Sequence, residues 1–200
     1  MKIIKLLILL LVACSLSAKA GVVKISGSLK QFGLDRVSMN SDGIAAEVYH
    51  DRTIEIILDS NGRFDLKLKL KQPAYYKVGH NTLYLTPGDD LEIIFNRNTT
   101  KTTFNGKGIE ANNYLRNSAK LSGCEIAKIG RELNEFGLPK EKVSFEVYRY
   151  KVDSIVDASL DALAHLTAVT PEFRELEQIR LEAYRLATYL DYFRCGIGAT

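Results

Sequence analysis

Residues 53–71 read TIEIILDSNGRFDLKLKLK, and this stretch decides the fold class. Its first part is β-branched and apolar, and Asp59-Ser60-Asn61-Gly62 has the composition of a turn. The part after the turn alternates apolar with charged residues, and a period of two places each set on one face of a strand. Asn61-Gly62 is typical of tight turns that need positive φ angles. The pattern therefore predicts a β-hairpin formed by Thr53–Leu58 and Arg63–Lys71.

Further short strands are predicted on both sides of this hairpin. Thr86-Pro87-Gly88-Asp89 fits a type II turn, because Pro fixes φ at the first central position and Gly accepts a positive φ at the second. Short strands with regular turn residues are typical of an antiparallel β-sandwich or open barrel, here over residues 21–106. The remaining strands are expected at residues 22–29, 36–39, 75–79, 83–86, 91–95 and 99–104.

The periodicity becomes helical after Gly106-Lys107-Gly108, so residues 107–200 are expected to form about three helices. The first is predicted over 110–121, continuing to Leu133 and stopping at Gly137-Leu138-Pro139. The second is predicted over 140–166. The third starts at Thr170-Pro171-Glu172, a combination of N-cap, first-turn Pro and first-turn acid. The predicted fold class is therefore α+β, a β domain followed by helices.

Apolar stripes run along these predicted helices. Those of residues 140–190 are also expected to pair with a further domain or with a second copy. The stripes are Ala111, Tyr114, Leu115 and Ser118; then Val143, Val147, Tyr150, Ile155, Leu160, Leu163 and Leu166; then Phe173, Leu176, Ile179, Ala183, Leu186 and Leu190.

The first twenty residues have the composition of an export signal. Lys2 and Lys5 precede the apolar run Leu6–Ala13, which is too short to span a bilayer about 30 Å thick. Ala18-Lys19-Ala20 predicts cleavage after Ala20. Leu11-Val12-Ala13-Cys14 instead resembles a lipobox, which would make 1–13 the signal and Cys14 an acylated first residue. Both interpretations place the protein in the periplasm or on the cell envelope, with membrane contact only through a lipid anchor.

The positive charge of the chain belongs to this leader. The full sequence has 27 basic and 24 acidic residues, a formal net charge of +3. Cleavage after Ala20 removes Lys2, Lys5 and Lys19 and leaves equal numbers of the two. A nucleic-acid partner needs a basic patch or stripe, so the balanced mature chain predicts none.

The sequence contains no motif typical of catalysis, metal binding or cofactor binding. His50, His80 and His165 are far apart in sequence and have no metal-ligand spacing. Asp89 and Asp90 are adjacent, so their carboxylates should point apart, and a solvated turn is expected there. The prediction is a protein with no catalytic, cofactor-binding or metal-binding residues.

The cysteines do not form a thiol–disulfide exchange motif. Such an enzyme needs Cys-x-x-Cys, and neither Cys124 nor Cys195 has a cysteine three residues later. A disulfide between these two remains an alternative in an oxidising compartment, provided that their Cα atoms lie within about 7 Å.

Several turn and joint residues resemble a known family. They are Tyr84–Phe95 (YLTPGDDLEIIF) and Phe104–Leu115 (FNGKGIEANNYL), with Ile25-Ser26-Gly27 and Asn61-Gly62-Arg63-Phe64. These stretches look like the N-terminal domain of Bacteroides-type TlpA-like envelope thioredoxin-family proteins. In that family a C-terminal thioredoxin domain carries the Cys-x-x-Cys, which this sequence lacks. The resemblance therefore implies a related architecture without the redox residues.

Three functions follow as hypotheses. The leading one is an exported, non-catalytic accessory module that binds a protein partner or self-associates. The second is a fragment of a thiol–disulfide oxidoreductase that lacks its thioredoxin domain. The third is an envelope protein that binds an apolar ligand through the aromatic segment 75–95 (Tyr75, Tyr76, Tyr84 and Phe95), where ordinary sandwich core is the expected alternative.

Overall fold

A computed structural model of the chain describes residues 20–42, 53–118, 123–129, 131–132 and 141–194. The predicted leader through Lys19, including Cys14, lies outside these residues. His50, the predicted helix stop at 137–139 and Cys195 lie outside them as well. The chain divides into two compact units between Arg116 and Asn117.

The described part of the first unit contains two four-stranded sheets. Their strand orders are β4-β1-β7-β8 and β3-β2-β5-β6. The described pairings are antiparallel except for β1 and β7, which run parallel. A β-rich region followed by helices confirms the predicted α+β class. The strands are β1 Gly21–Ser28, β2 Arg36–Asp42, β3 Thr53–Ile57, β4 Arg63–Leu70, β5 Ala74–Val78, β6 Asn81–Leu85, β7 Asp90–Ile94 and β8 Thr103–Lys107.

The hairpin predicted over residues 53–71 is wrong, although both of its strands exist. β3 pairs with β2 in one sheet and β4 pairs with β1 in the other. Gly62 has a positive φ of 71°, whereas no described residue other than glycine has a positive φ, so Asn61 does not take the predicted conformation. Leu29 N–H donates to Gly62 O over 2.8 Å. This contact ties the turn to the segment after β1, and the chain turns a corner between the sheets instead of reversing within one.

The core of the first unit lies between alternating faces of these strands. In β4 the residues Phe64, Leu68 and Leu70 are buried, and the intervening lysines Lys67 and Lys69 are exposed. β4 is an edge strand of its sheet, and exposed lysines oppose further strand pairing at such an edge. The largest fully buried side chains of this core are Phe95, Ile25, Leu29, Met39, Leu83, Leu85, Leu91 and Ile93.

One predicted strand is partly wrong. Residues 99–104 were expected to be extended, but Thr99–Lys101 form a 3₁₀ turn and the strand starts at Thr103. The cause is local, because the Asn98 side chain accepts a hydrogen bond from Thr100 N–H over 3.2 Å. Asn side chains that bond backbone two residues on favour turns over strands.

The helices differ from prediction mainly in number. The described ones are α1 Ile109–Asn117, which ends the first unit, and α2 Gly123–Lys128, α3 Phe145–Ala164 and α4 Pro171–Arg194. The helix predicted at 110–121 ends at Asn117 and is followed by the separate α2. Ser118, the residue after α1, is a weaker helix former than Ala or Leu.

Two helix starts have side-chain caps. Phe173 N–H donates to Thr170 Oγ1 over 3.1 Å, which confirms the predicted cap of α4. α3 begins at Phe145, later than the predicted residue 140. The Ser144 hydroxyl accepts from Val147 N–H over 3.4 Å at that start.

Candidate functional site

The two described histidines stand on exposed positions. His80 lies in the β5–β6 turn. His165 follows α3, and its Nδ1 lies 2.8 Å from the carbonyl oxygen of Asp161. Within the described ranges, no group of three or more His, Cys, Asp and Glu side chains could hold a metal ion.

Asp89 and Asp90 make separate contacts, in agreement with the prediction that their carboxylates point apart. The prediction of a solvated turn is wrong for Asp89. Asp90 is exposed and pairs with Lys24 over 3.5 Å. Asp89 is only 5% exposed, and its carboxylate accepts from Thr86 N–H over 2.7 Å. Burial raises the pKa of Asp89, while the Thr86 hydrogen bond and the charge of Lys107 act in the opposite direction. Asp89 therefore closes the Thr86–Asp89 turn from inside the protein.

The joint between the sheets and α1 depends on Asn112, which the search for chemistry did not single out. Its side chain is fully buried, and Oδ1 accepts from Tyr84 N–H over 2.9 Å. Nδ2 donates to Tyr84 O and to Gly108 O, each over 2.9 Å. β6 is an edge strand, so Asn112 satisfies backbone groups that a neighbouring strand would otherwise pair. The sequence carries no direct signal for this role, because the burial of Asn112 is seen only in the structure and Asn is uncommon in the interior.

The residues that carry the family resemblance meet at this joint. Gly108 has a φ of 98°, and a Cβ there would lie 2.8 Å from the Asp89 carboxyl carbon. Lys107 Nζ donates to Gly88 O over 3.2 Å. The two quoted motifs therefore hold the β6–β7 turn, the end of β8 and the start of α1 together.

The aromatic segment 75–95 contributes to the core. Tyr76 and Phe95 are buried in the cluster between the sheets, and the rings of Phe95 and Phe64 are 6.1 Å apart. Tyr84 is also buried and lies 5.0 Å from the Tyr75 ring. The core interpretation is confirmed for Tyr76 and Phe95, and apolar-ligand binding stays a prediction.

The second unit carries the most distinctive surface of the described chain, on α4. Six residues on one face of this helix recur at alternating intervals of three and four residues, and five of them have large apolar side chains. Ile179, Leu186, Leu190 and Phe193 are between 59% and 72% exposed. We call this set the α4 stripe: Leu176, Ile179, Ala183, Leu186, Leu190 and Phe193.

A different face of α4 packs inside the second unit. Phe173, Leu181 and Tyr192 are buried there, together with Glu177 and Thr188. Of the apolar residues predicted to form one face over 173–190, only Phe173 is buried. Likewise α3 buries Tyr148, Val152, Val156, Ser159 and Leu163, whereas Val147 and Tyr150 of its predicted stripe are exposed. The inner residues of α4 also follow helical spacing, and they form a second stripe distinct from the predicted one.

Polar groups lock the inner face of α4 in place. Tyr148 Oη donates to Thr188 O and Tyr192 Oη donates to Val143 O, each over 2.7 Å. Burial raises the pKa of Tyr148 to about 12, so this phenol keeps its proton. Glu177 is fully buried and accepts from Arg180 Nε over 2.6 Å.

Charged contacts also join α3 to α4. Arg185 lies 3.0 Å from Asp153 and 2.7 Å from Asp157 on α3. Arg174 donates to the carbonyl oxygens of Leu163 and Leu166, where α3 ends. The inner face and the flank of α4 both contact the rest of the second unit. The helix is therefore held in place while the α4 stripe is exposed.

Cys124 is bonded in a disulfide. The chain's other cysteines, Cys14 and Cys195, lie outside the described residues. In the part of the chain that the structure describes, none of the helices combines the length and apolar character needed to cross a membrane.

Comparisons with known proteins identify no relative. No family model, curated protein or solved structure matches this chain.

Proposed function

We propose that this chain is an exported, non-catalytic module that binds a protein partner through the α4 stripe. The observation that carries the proposal is a row of large apolar side chains left exposed on a helix whose inner face is already packed. Exposed apolar surface costs about 25 cal/mol per Å² relative to burial. Contiguous apolar patches on soluble proteins commonly mark interaction sites.

The positions of the charged residues support a binding role over a chemical one. Among the described residues, Asp89 closes a turn, Glu177 pairs with Arg180, and Arg185 bridges α3 and α4. Asp89, Glu177 and Arg185 therefore already serve the fold. The residues that resemble the TlpA-type domain do the same, since they form the joint around Asn112.

Export is part of the proposal and rests on residues 1–20. The charged start, the apolar run and the Ala-x-Ala site support delivery to the periplasm, and Cys14 supports a lipid anchor on the envelope. Mass spectrometry of the protein from a bacterial envelope separates the two. A mature chain starting at Gly21 supports a released protein, and an acylated Cys14 supports an anchored one. An intact Met1 in the purified protein would contradict export.

Site-specific photo-crosslinking in the producing cell tests the binding surface. A photoreactive phenylalanine analogue replaces Leu186 on the α4 stripe or, as a matched control, exposed Gln178 on the same helix but off the stripe. We expect a discrete higher-mass adduct from position 186 and none from position 178. Equal patterns from both positions, or no adduct at 186, would overturn the proposal.

Insulin reduction by the purified mature chain tests the non-catalytic part. We expect a rate equal to the uncatalysed background, because Cys124 and Cys195 form no Cys-x-x-Cys. Turnover that disappears in a Cys124→Ser variant would contradict it. A crosslinked adduct identified as a thioredoxin-fold protein would instead support a module that serves an oxidoreductase.

A further inference from the structure

We propose that the partner is a second copy of this chain, and that the two α4 helices pair in parallel through their stripes. This inference rests on the proposed function, since it names the occupant of the same surface. It is argued from the spacing of the stripe and from the charges beside it.

The spacing is that of a coiled-coil seam. The intervals alternate between three and four residues, so each pair of steps spans seven residues, the heptad repeat at which two helices keep one apolar row in contact. In heptad terms Leu176, Ala183 and Leu190 occupy a positions. Ile179, Leu186 and Phe193 occupy d positions. At 1.5 Å per residue the row extends for about 26 Å, which is long enough for interlocking layers along most of α4.

The flanking charges distinguish the two possible orientations. Glu175 and Glu182 stand at g positions on one side of the stripe. Arg180 and Arg194 stand at e positions on the other. A parallel pair brings the g side of one helix against the e side of its partner, so that Glu175 faces Arg180 of the second copy and the reverse holds by symmetry. An antiparallel pair brings glutamates against glutamates and arginines against arginines, which is unfavourable.

The flanking residues are partly accessible. Glu175 is exposed and the Glu182 side chain is 48% exposed beside Arg185, whereas the Arg180 side chain is 27% exposed and donates through Nε and Nη2 to Glu177. The mixture of signs also argues against a lipid surface as the occupant. Helices that lie on membranes carry mostly Lys and Arg along the polar face, whereas α4 places Glu175 and Glu182 beside its stripe.

A parallel pair is a closed, twofold assembly. Each copy uses the same surface, so the stripe is consumed and no further copies add. The end of the seam is reinforced from within each copy, because the Phe145 ring stacks on Phe193 with centroids 6.1 Å apart. Phe193 is thereby positioned for contact across the twofold axis.

Sedimentation equilibrium of the mature chain over a wide concentration range tests the dimer. We expect twice the chain mass for the wild type and for the Gln178→Glu control. We expect the monomer mass for Leu186→Glu and Leu190→Glu, with unchanged far-ultraviolet circular dichroism. Glu175→Arg should weaken the dimer at least several-fold in dissociation constant. A monomeric wild type, or a dimer that survives both stripe variants, would overturn the inference.

Disulfide trapping tests the orientation. Chains with Ile179→Cys and chains with Leu190→Cys are mixed and oxidised under conditions that leave the native disulfide intact. Parallel helices bring identical d or a positions together and give only like-with-like crosslinks. Mixed 179–190 crosslinks would overturn the parallel arrangement.

The outcomes separate this inference from the proposed function. A monomeric chain that still forms a discrete adduct at position 186 with another protein contradicts the second copy and leaves the binding function standing. A monomeric chain with no adduct contradicts both. Co-sedimentation of that monomer with phosphatidylglycerol vesicles, lost in Leu190→Glu, would make the stripe a membrane-binding face and overturn both proposals.

Discussion

In the first unit, single buried polar side chains make hydrogen bonds to backbone groups of the strands and turns. Asn112 is the clearest case, because one amide group makes three hydrogen bonds to backbone atoms of Tyr84 and Gly108. Its burial leaves no water to replace those bonds. Asp89 acts similarly from within the turn before β7, where a carboxylate is held out of solvent.

Asn112→Ala should lower the free energy of unfolding by about 3 kcal/mol. The change removes three hydrogen bonds to backbone groups of Tyr84 and Gly108. Loss of a buried hydrogen-bond partner costs about 1–3 kcal/mol. Urea unfolding measures the loss. Asn117→Ala, an exposed change on the same helix, is the control and should stay within about 0.5 kcal/mol. Equal effects at the two positions would contradict the role given to Asn112.

Asp89→Asn should change how stability depends on pH. Burial raises the pKa of Asp89 in the folded protein above its usual 3.8, so the folded chain binds this proton more tightly than the unfolded chain does. Linkage then makes Asp89 contribute more stability as pH falls through its folded pKa towards 3.8, and less as pH rises. The Asn variant keeps the acceptor for Thr86 N–H and removes the titration. Unfolding across the acidic range should show the variant gaining on the wild type as pH rises, and a constant difference would refute the argument.

At the scale of elements, the alternating pattern of β4 predicted its buried face correctly, whereas the hairpin prediction failed. Alternation is a property of one strand, and the sequence states it directly. Pairing is a property of two strands, and the partners of β3 and β4 come from β2 and β1, which no turn motif encodes. The corner depends on the hydrogen bond between Leu29 and Gly62, which are far apart in sequence. No local pattern predicts such a contact.

The α4 helix shows the same division between local and non-local information. The sequence shows the stripe of α4 as a helical period, and it shows the N-cap at Thr170 as a local motif. The sequence does not indicate which face packs inward, because two faces of α4 carry apolar residues at helical spacing. In the structure, the face that carries Phe173, Leu181 and Tyr192 packs inward. Buried tyrosine hydroxyl groups donate hydrogen bonds to carbonyl oxygens there.

Gly62→Ala tests the corner between β3 and β4. Gly62 has a positive φ of 71°, and a Cβ there would lie 2.7 Å from Lys30 Cα. Gly33→Ala is a matched control, since Gly33 has a similar φ of 64° with nothing within 4 Å of the added carbon. We expect about 1 kcal/mol of destabilisation for Gly33→Ala from backbone conformation alone. The loss for Gly62→Ala should be clearly larger, and equal losses would show that the approach to Lys30 is not a constraint.

At the scale of the whole molecule, export and the disulfide constrain one another. Cys124 is bonded in the structure, and the chain offers it only Cys14 or Cys195. Cleavage after Ala20 discards Cys14, and lipidation occupies its thiol. If either interpretation of the leader is right, the mature protein must use Cys195.

Peptide mapping of the mature protein without reduction should therefore yield one peptide pair joined through Cys124 and Cys195. This bond would enclose α2, α3 and α4 in a covalent loop of about 70 residues, for which chain entropy predicts about 4 kcal/mol of stabilisation. Reduction, or Cys124→Ser, should lower the free energy of unfolding by up to that amount. Cys124 joined to Cys14 would instead show that Cys14 stays on the mature chain without acylation, and export as argued from the leader would be contradicted.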